Sequence, residues 1–67
     1  MHELSAAIDR FLDAASTKER VVFVQRYFYA LSVAEISDKT GLSQSNVKVI
    51  LSRTRKELKA FLEQEGY

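Results

Sequence analysis

The chain has 67 residues, of which 46% are hydrophobic and 28% are charged, and its formal net charge is +1. A chain of this length forms one small domain with a modest core. It has no cysteine, no proline and only two glycines, which excludes a disulfide framework and a thiolate metal site and disfavours a sheet protein. No apolar run approaches the roughly 20 residues of a membrane span. We therefore expect a single all-α domain in a reducing, cytoplasmic setting, without contact to a membrane.

The first two helices are predicted from apolar spacing and from a capping pattern. Apolar residues recur every three or four positions from Leu4 onward, which predicts a helix over about residues 3–15. The sequence STKE at 16–19 is a capping box, so a second helix begins there. We expect this helix to end near Tyr29 or Ala30. Its surface is apolar almost all round, which is typical of a helix that packs on several sides or presents a hydrophobic patch to a partner.

The second half of the chain predicts two helices joined by a glycine turn. A second capping box, SVAE, begins a short helix over about residues 32–40. Gly41 can adopt the left-handed conformation that ends a helix, and Leu42 can then turn inward as a hydrophobic plug. Ser43 caps a fourth helix that runs to Gly66.

A short helix, a glycine turn and a capped helix together form a helix-turn-helix arrangement, here over about residues 33–65. Many helical hairpins share a glycine turn, so this pattern alone is only moderately specific. The same periodicity predicts the residues of the hydrophobic core, which are Leu4, Ile8, Phe11, Val22, Ile36, Leu42, Val47, Ile50, Leu51 and Leu58.

The fourth helix concentrates positive charge on the side opposite its apolar stripe. Residues 43–60 contain five basic residues and one acidic residue, whereas residues 1–42 contain five basic and six acidic residues. In an arbitrary helix such a face would simply be solvated, but the preceding turn favours DNA. Gln and Asn can pair with adenine, Lys can reach guanine, and Arg can bind phosphate or guanine. A mid-face apolar residue, Val49, suits a thymine methyl group, unless it packs on a neighbouring helix.

The geometry and charge of the fourth helix, together with a family resemblance described below, give two sets of candidate DNA-binding residues. We expect Ser43, Gln44, Ser45, Asn46, Lys48 and Val49 to face bases, and Ser52, Arg53, Arg55 and Lys56 to face phosphates.

The stretch TKERVVFVQRYFYALSVAEISDKTGLSQSNVKVILSRTRKELKAFLEQEG resembles region 4 of sigma-70 family RNA polymerase sigma factors, particularly the extracytoplasmic-function type. The ordered motifs are ERVVF with RYF, LS before EI, then GLS, VK and LSRTRKEL. The resemblance implies a four-helix, helix-turn-helix domain related to winged helices but without the wing. It also implies that the last helix docks on the promoter −35 element and that the earlier helices attach to the flap-tip helix of the RNA polymerase β subunit.

The resemblance also assigns roles to individual residues and to the chain as a whole. The apolar face around Phe23, Tyr27 and Phe28 is expected to dock on the polymerase flap or on an anti-sigma factor. Departures from the family pattern at Asn46 and Val49 leave the promoter sequence open. Region 2, which grips the polymerase clamp in such factors, is absent from the sequence, so residues 1–67 are expected to be one region 4 domain of a longer sigma factor.

Two other classes of protein share parts of this pattern. LuxR-type regulators also have four helices with VK in the recognition helix, but they usually continue with a histidine where this chain continues VILSRTRKEL. A module that binds only protein would also fit the apolar second helix, although the basic last helix argues against it. An enzyme is not expected, because the only histidine, His2, lies at the terminus, and no catalytic residues, metal ligands or cofactor site are indicated.

Overall fold

Four α-helices make up the computed structural model, which describes the backbone of residues 2–67 and the side chains from residue 3 onward. No strand occurs in that range, so the all-α prediction is confirmed. No helix among these residues is long and apolar enough to cross a membrane. The helices are α1 (His2–Ala14), α2 (Thr17–Tyr27), α3 (Val33–Thr40) and α4 (Gln44–Gln64).

Both predicted capping boxes are present. The Ser16 hydroxyl accepts from the Glu19 backbone N–H at 3.2 Å, and the Glu19 carboxylate accepts from the Ser16 N–H at 3.3 Å. Ser32 and Glu35 repeat this pair of bonds at the start of α3, at 3.1 and 2.8 Å. The bond from the Ser32 backbone, with smaller contributions from the Ser32 side chain and the charge of Lys39, lowers the pKa of Glu35 below its ordinary value.

The turn between α3 and α4 is built from local hydrogen bonds. Gly41 has φ 78°, and its N–H donates to the Ser37 carbonyl at 2.9 Å. The Ser37 hydroxyl donates to the Leu42 carbonyl. The Thr40 hydroxyl accepts from the Leu42 N–H at 3.2 Å and donates to the Ile36 carbonyl at 2.7 Å. The predicted left-handed glycine is therefore confirmed, and a side chain there would strain the backbone although space is free around it.

The hydrophobic core consists of two clusters that share α2 and α4. The main cluster joins α2, α3 and α4, and the second cluster joins α1, α2 and α4. An ion pair between Arg10 and Glu65 also links α1 to the end of α4. The main cluster contains Val22, Ile36, Val47, Ile50 and Leu51, with Leu31, Val33 and Leu42 packed against it. The second cluster contains Phe11, Leu12 and Phe23, with Ile8, Val24, Leu58 and Phe61 packed against it.

Leu4 is the one predicted core residue that is exposed, at 41% of its surface. The prediction was wrong because helical spacing identifies the apolar side of α1 but not how far its neighbours extend. The buried part of α1 begins at Ala7, which has no exposed surface, and Leu4 lies about one turn before it. Ile8, Leu42 and Leu58 are half-buried, and the other predicted core residues are buried.

The second helix ends at Tyr27, slightly before the predicted Tyr29 or Ala30. After Tyr27 the backbone hydrogen bonds no longer all join residues four apart, because the Tyr29 N–H donates to the Val24 carbonyl, five residues earlier, at 3.2 Å. Ala30 then takes the left-handed conformation with φ 56°. The chain therefore leaves the helix through a residue that carries a side chain, where glycine is the usual choice.

Candidate nucleic-acid interface

The first turns of α4 expose all six residues that were predicted to face bases. The Ser43 hydroxyl caps the helix by accepting from the Asn46 N–H at 3.1 Å. Val47 and Ile50 point into the main cluster and are buried, which turns the opposite side of α4 to solvent. Ser45, Asn46, Lys48 and Val49 lie on that exposed side, and Ser43 and Gln44 are exposed at the tip of the helix.

The position of Val49 distinguishes the two interpretations of this residue. Its side chain is 56% exposed, so it is not packed under a neighbouring helix. An exposed apolar residue between Ser45 and Ser52 on a polar face can contact a thymine methyl group. The outward side of α4 therefore combines hydrogen-bonding groups with one apolar contact point.

The residues predicted to face phosphates divide into two pairs. Arg53 lies beside α2, with its Nε 3.8 Å from a Glu19 carboxylate oxygen. Arg55 also contacts α2, because its Nη1 donates to the Tyr27 hydroxyl at 3.0 Å. Lys56 is exposed and makes no hydrogen bond or ion pair with the side chains that the structure describes, and Ser52 is half-buried.

The path of α2 across α4 explains why both arginines contact α2. Residues two positions apart on a helix point to nearly opposite sides, so Arg53 and Arg55 lie on opposite flanks of α4. Glu19 near the start of α2 meets one flank, and Tyr27 at its end meets the other. Sequence spacing predicts the two flanks but not the crossing of α2, so the roles of Glu19 and Tyr27 as arginine partners were missed.

The aromatic residues in the last turns of α2 and just beyond it differ in exposure. Phe23 is buried in the second cluster, and its ring lies 4.8 Å from that of Tyr27. Tyr27 is exposed, Phe28 is 62% exposed, and Tyr29, which was not among the predicted docking residues, is exposed as well. We call Tyr27, Phe28 and Tyr29 the aromatic patch. Phe23 supports this patch from the core and does not present its own surface.

Two open grooves flank the helices. One, of about 430 Å³, follows the C-terminal half of α4, and the other, of about 320 Å³, lies between α2 and the turn after α3. The groove along α4 is lined by Arg55, Leu58, Lys59, Leu62, Glu63 and Tyr67.

Among the described residues no group of three or more His, Cys, Asp or Glu side chains is placed to hold a metal ion.

A short helix, a left-handed glycine turn and a capped helix with an exposed basic face define a helix-turn-helix DNA-binding domain. The family model "Sigma-70, region 4" matches residues 5–58. The chain therefore belongs to the sigma-70 region 4 family. Members of this family are DNA-binding domains of transcription sigma factors, and the family is not a known enzyme family. The match favours this family over the LuxR-type alternative. No curated protein and no solved structure gives a significant match.

Proposed function

We propose that α4 is a recognition helix that reads the promoter −35 element in the major groove, as in sigma factors of the extracytoplasmic-function type. The observation that carries this proposal is the two-sided character of α4, whose core side is buried while its first turns expose hydrogen-bonding and cationic side chains. A single α-helix fits the major groove, where the pattern of donors and acceptors identifies each base pair. The domain would act in the cytoplasm, where promoters and polymerase meet.

Within this helix we assign two kinds of contact. Gln44 and Lys48 lie in the first two turns and have side chains suited to adenine and guanine edges. Lys56 lies farther along the exposed side, where a cation contributes attraction to phosphate and little information about sequence. The two kinds of contact predict different responses to base sequence and to salt.

The test compares three alanine variants on a preferred duplex, selected from a random pool, and on a random duplex. Gln44→Ala or Lys48→Ala should cost about 1–3 kcal/mol on the preferred duplex and relax discrimination at particular base pairs. Lys56→Ala should weaken binding to both duplexes similarly and reduce the slope of log affinity against log salt by about 0.9. Fluorescence anisotropy at low salt measures both quantities. Equal losses on both duplexes for all three variants would reduce α4 to a nonspecific basic surface.

We further propose that the aromatic patch docks on the flap of the RNA polymerase β subunit or on an anti-sigma factor. Contiguous exposed aromatic side chains mark interaction surfaces because they can bury large apolar areas in a partner. Phe28→Glu should abolish binding to a flap-tip peptide or to a cognate inhibitor while the helical circular dichroism spectrum is retained. Val21→Glu, a charge placed on an exposed apolar residue of α2 outside the aromatic patch, is the control. Unchanged binding by a folded Phe28→Glu variant would contradict this assignment.

A further inference from the structure

The Glu19 carboxylate connects the cap of α2 with the basic flank of α4. One of its oxygens accepts from the Ser16 backbone N–H at 3.3 Å and from the Ser16 hydroxyl at 3.2 Å. Its other oxygen lies 3.8 Å from the Nε of Arg53. The Glu19 side chain is only 18% exposed, whereas that of Arg53 is 58% exposed. The carboxylate is therefore held in place by the cap, and the outer end of the arginine remains accessible.

We infer that Glu19 is a positioning residue for DNA binding, which orients Arg53 before phosphate arrives; this inference rests on the proposed function. A guanidinium presents its N–H groups as a planar fork that can bind phosphate through two parallel bonds. Nε is the nitrogen of Arg53 that pairs with Glu19, which leaves both Nη groups for a phosphate. Ordering one long side chain on binding lowers affinity by about two- to tenfold. Glu19 reduces this loss by ordering Arg53 in the free domain.

Simple charge repulsion predicts the opposite effect for the same residue. A carboxylate near DNA repels phosphates, so its neutralisation should strengthen binding if repulsion were its only influence. Positioning instead requires that neutralisation weakens binding. The sign of the change for Glu19→Gln therefore separates the two effects. Glutamine is the appropriate replacement because it also serves at this position of a capping box and keeps the cap of α2.

The experiment measures the affinity of the domain for the preferred duplex at low salt by fluorescence anisotropy. The variants are Glu19→Gln, Arg53→Ala and the double variant. Glu35→Gln is the matched control, since Glu35 occupies the same position in the capping box of α3 and forms no ion pair with an arginine among the described side chains. Circular dichroism confirms that each variant is folded.

We expect Glu19→Gln to weaken binding by about two- to fivefold, the range of an exposed ion pair. In the Arg53→Ala background the same change should cause no loss, and Glu35→Gln should leave affinity unchanged or slightly higher. Stronger binding by Glu19→Gln, an equal loss with and without Arg53, or an equal loss in Glu35→Gln would each overturn the inference alone. A wild-type domain that binds the preferred and random duplexes equally would instead overturn the proposed function, and the inference with it.

Discussion

The hydroxyl of Tyr27 accepts a hydrogen bond from Arg55 Nη1 at 3.0 Å, which joins the end of α2 to the middle of α4. The ring of Tyr27 also lies against the buried ring of Phe23. One side chain therefore contacts the core and the basic helix while it remains exposed in the aromatic patch. This arrangement places the proposed polymerase-docking surface and the proposed DNA-binding helix in direct contact.

Tyr27→Phe and Arg55→Ala should be coupled in their effects on stability. Phenylalanine keeps the ring packed on Phe23 and removes only the hydroxyl, so we expect a loss of about 0.5–1.5 kcal/mol in the free energy of unfolding. Once the hydroxyl is absent, Arg55→Ala should cause little further loss of stability. A double-mutant cycle from urea unfolding measures this coupling between Tyr27 and Arg55. Tyr27→Phe with Arg53→Ala is the control pair and should be additive. Additive losses for Tyr27 and Arg55 would show that the hydrogen bond contributes nothing to stability.

Thr54→Val should stabilise the domain. Thr54 is fully buried in α4, and its hydroxyl oxygen has no hydrogen-bond partner among the described groups. A buried polar group without a partner costs about 1–3 kcal/mol, and valine replaces the hydroxyl with a methyl group of similar size. We expect the free energy of unfolding to rise by about 1 kcal/mol. Thr54→Ser keeps the hydroxyl but loses a methyl group, so it should lower stability by about 1 kcal/mol. A destabilised valine variant would contradict this prediction.

Ala30→Gly should also stabilise the domain, although by less. Ala30 has φ 56°, a left-handed conformation that costs a residue with a side chain about 1–2 kcal/mol. Glycine removes this strain but gains conformational entropy in the unfolded chain, which offsets about 0.4–1 kcal/mol. Thermal unfolding should therefore show a slightly raised midpoint. The control Ala60→Gly, at an exposed position inside α4, should lower the midpoint, because glycine weakens a helix interior.

The lowered pKa of Glu35 predicts how stability depends on pH. Because hydrogen bonds from Ser32 favour the charged carboxylate, Glu35 stabilises the fold fully at pH values above its ordinary pKa of 4.5. This contribution is lost as the pH falls through the lower pKa of the folded state. Urea unfolding of the wild type and of Glu35→Gln, at pH values above the ordinary pKa of Glu35 and below its folded-state pKa, measures the contribution of this carboxylate to stability. The difference in stability between the two proteins should shrink on acidification, and a constant difference would contradict the assignment.

The features that the sequence predicted correctly depend on residues close together in the chain. The caps at Ser16, Ser32 and Ser43 each join groups three residues apart, and Gly41 ends α3 through a backbone preference of its own. Such bonds form wherever the local pattern occurs, so spacing alone predicts them. The exposed side of α4 follows in the same way from helical periodicity.

The features that the sequence missed depend on how the helices cross. Periodicity placed Leu4 on the apolar side of α1, but only the packing of the helices shows that it is exposed. Arg53 and Arg55 were both assigned to phosphate, and only the crossing of α2 shows that each has a partner there. Phe23 and Phe28 are both apolar residues of the same segment, yet one is buried and the other exposed. Packing between helices, which no local pattern specifies, decides each of these cases.

The separation of the core into two clusters has a consequence for the motions of the domain. Phe11 and Leu12 of α1 pack only in the second cluster, whereas α3 packs only in the main cluster. Proteins open locally in cooperative units with different free energies, and here we expect α1 to detach while α3 and the start of α4 stay closed. Backbone amides of α1 should therefore exchange with solvent deuterium faster than those around Ile36 and Ile50. The helix-turn-helix should keep its shape through such openings, so the proposed base-reading geometry should not depend on transient fraying at the start of the chain.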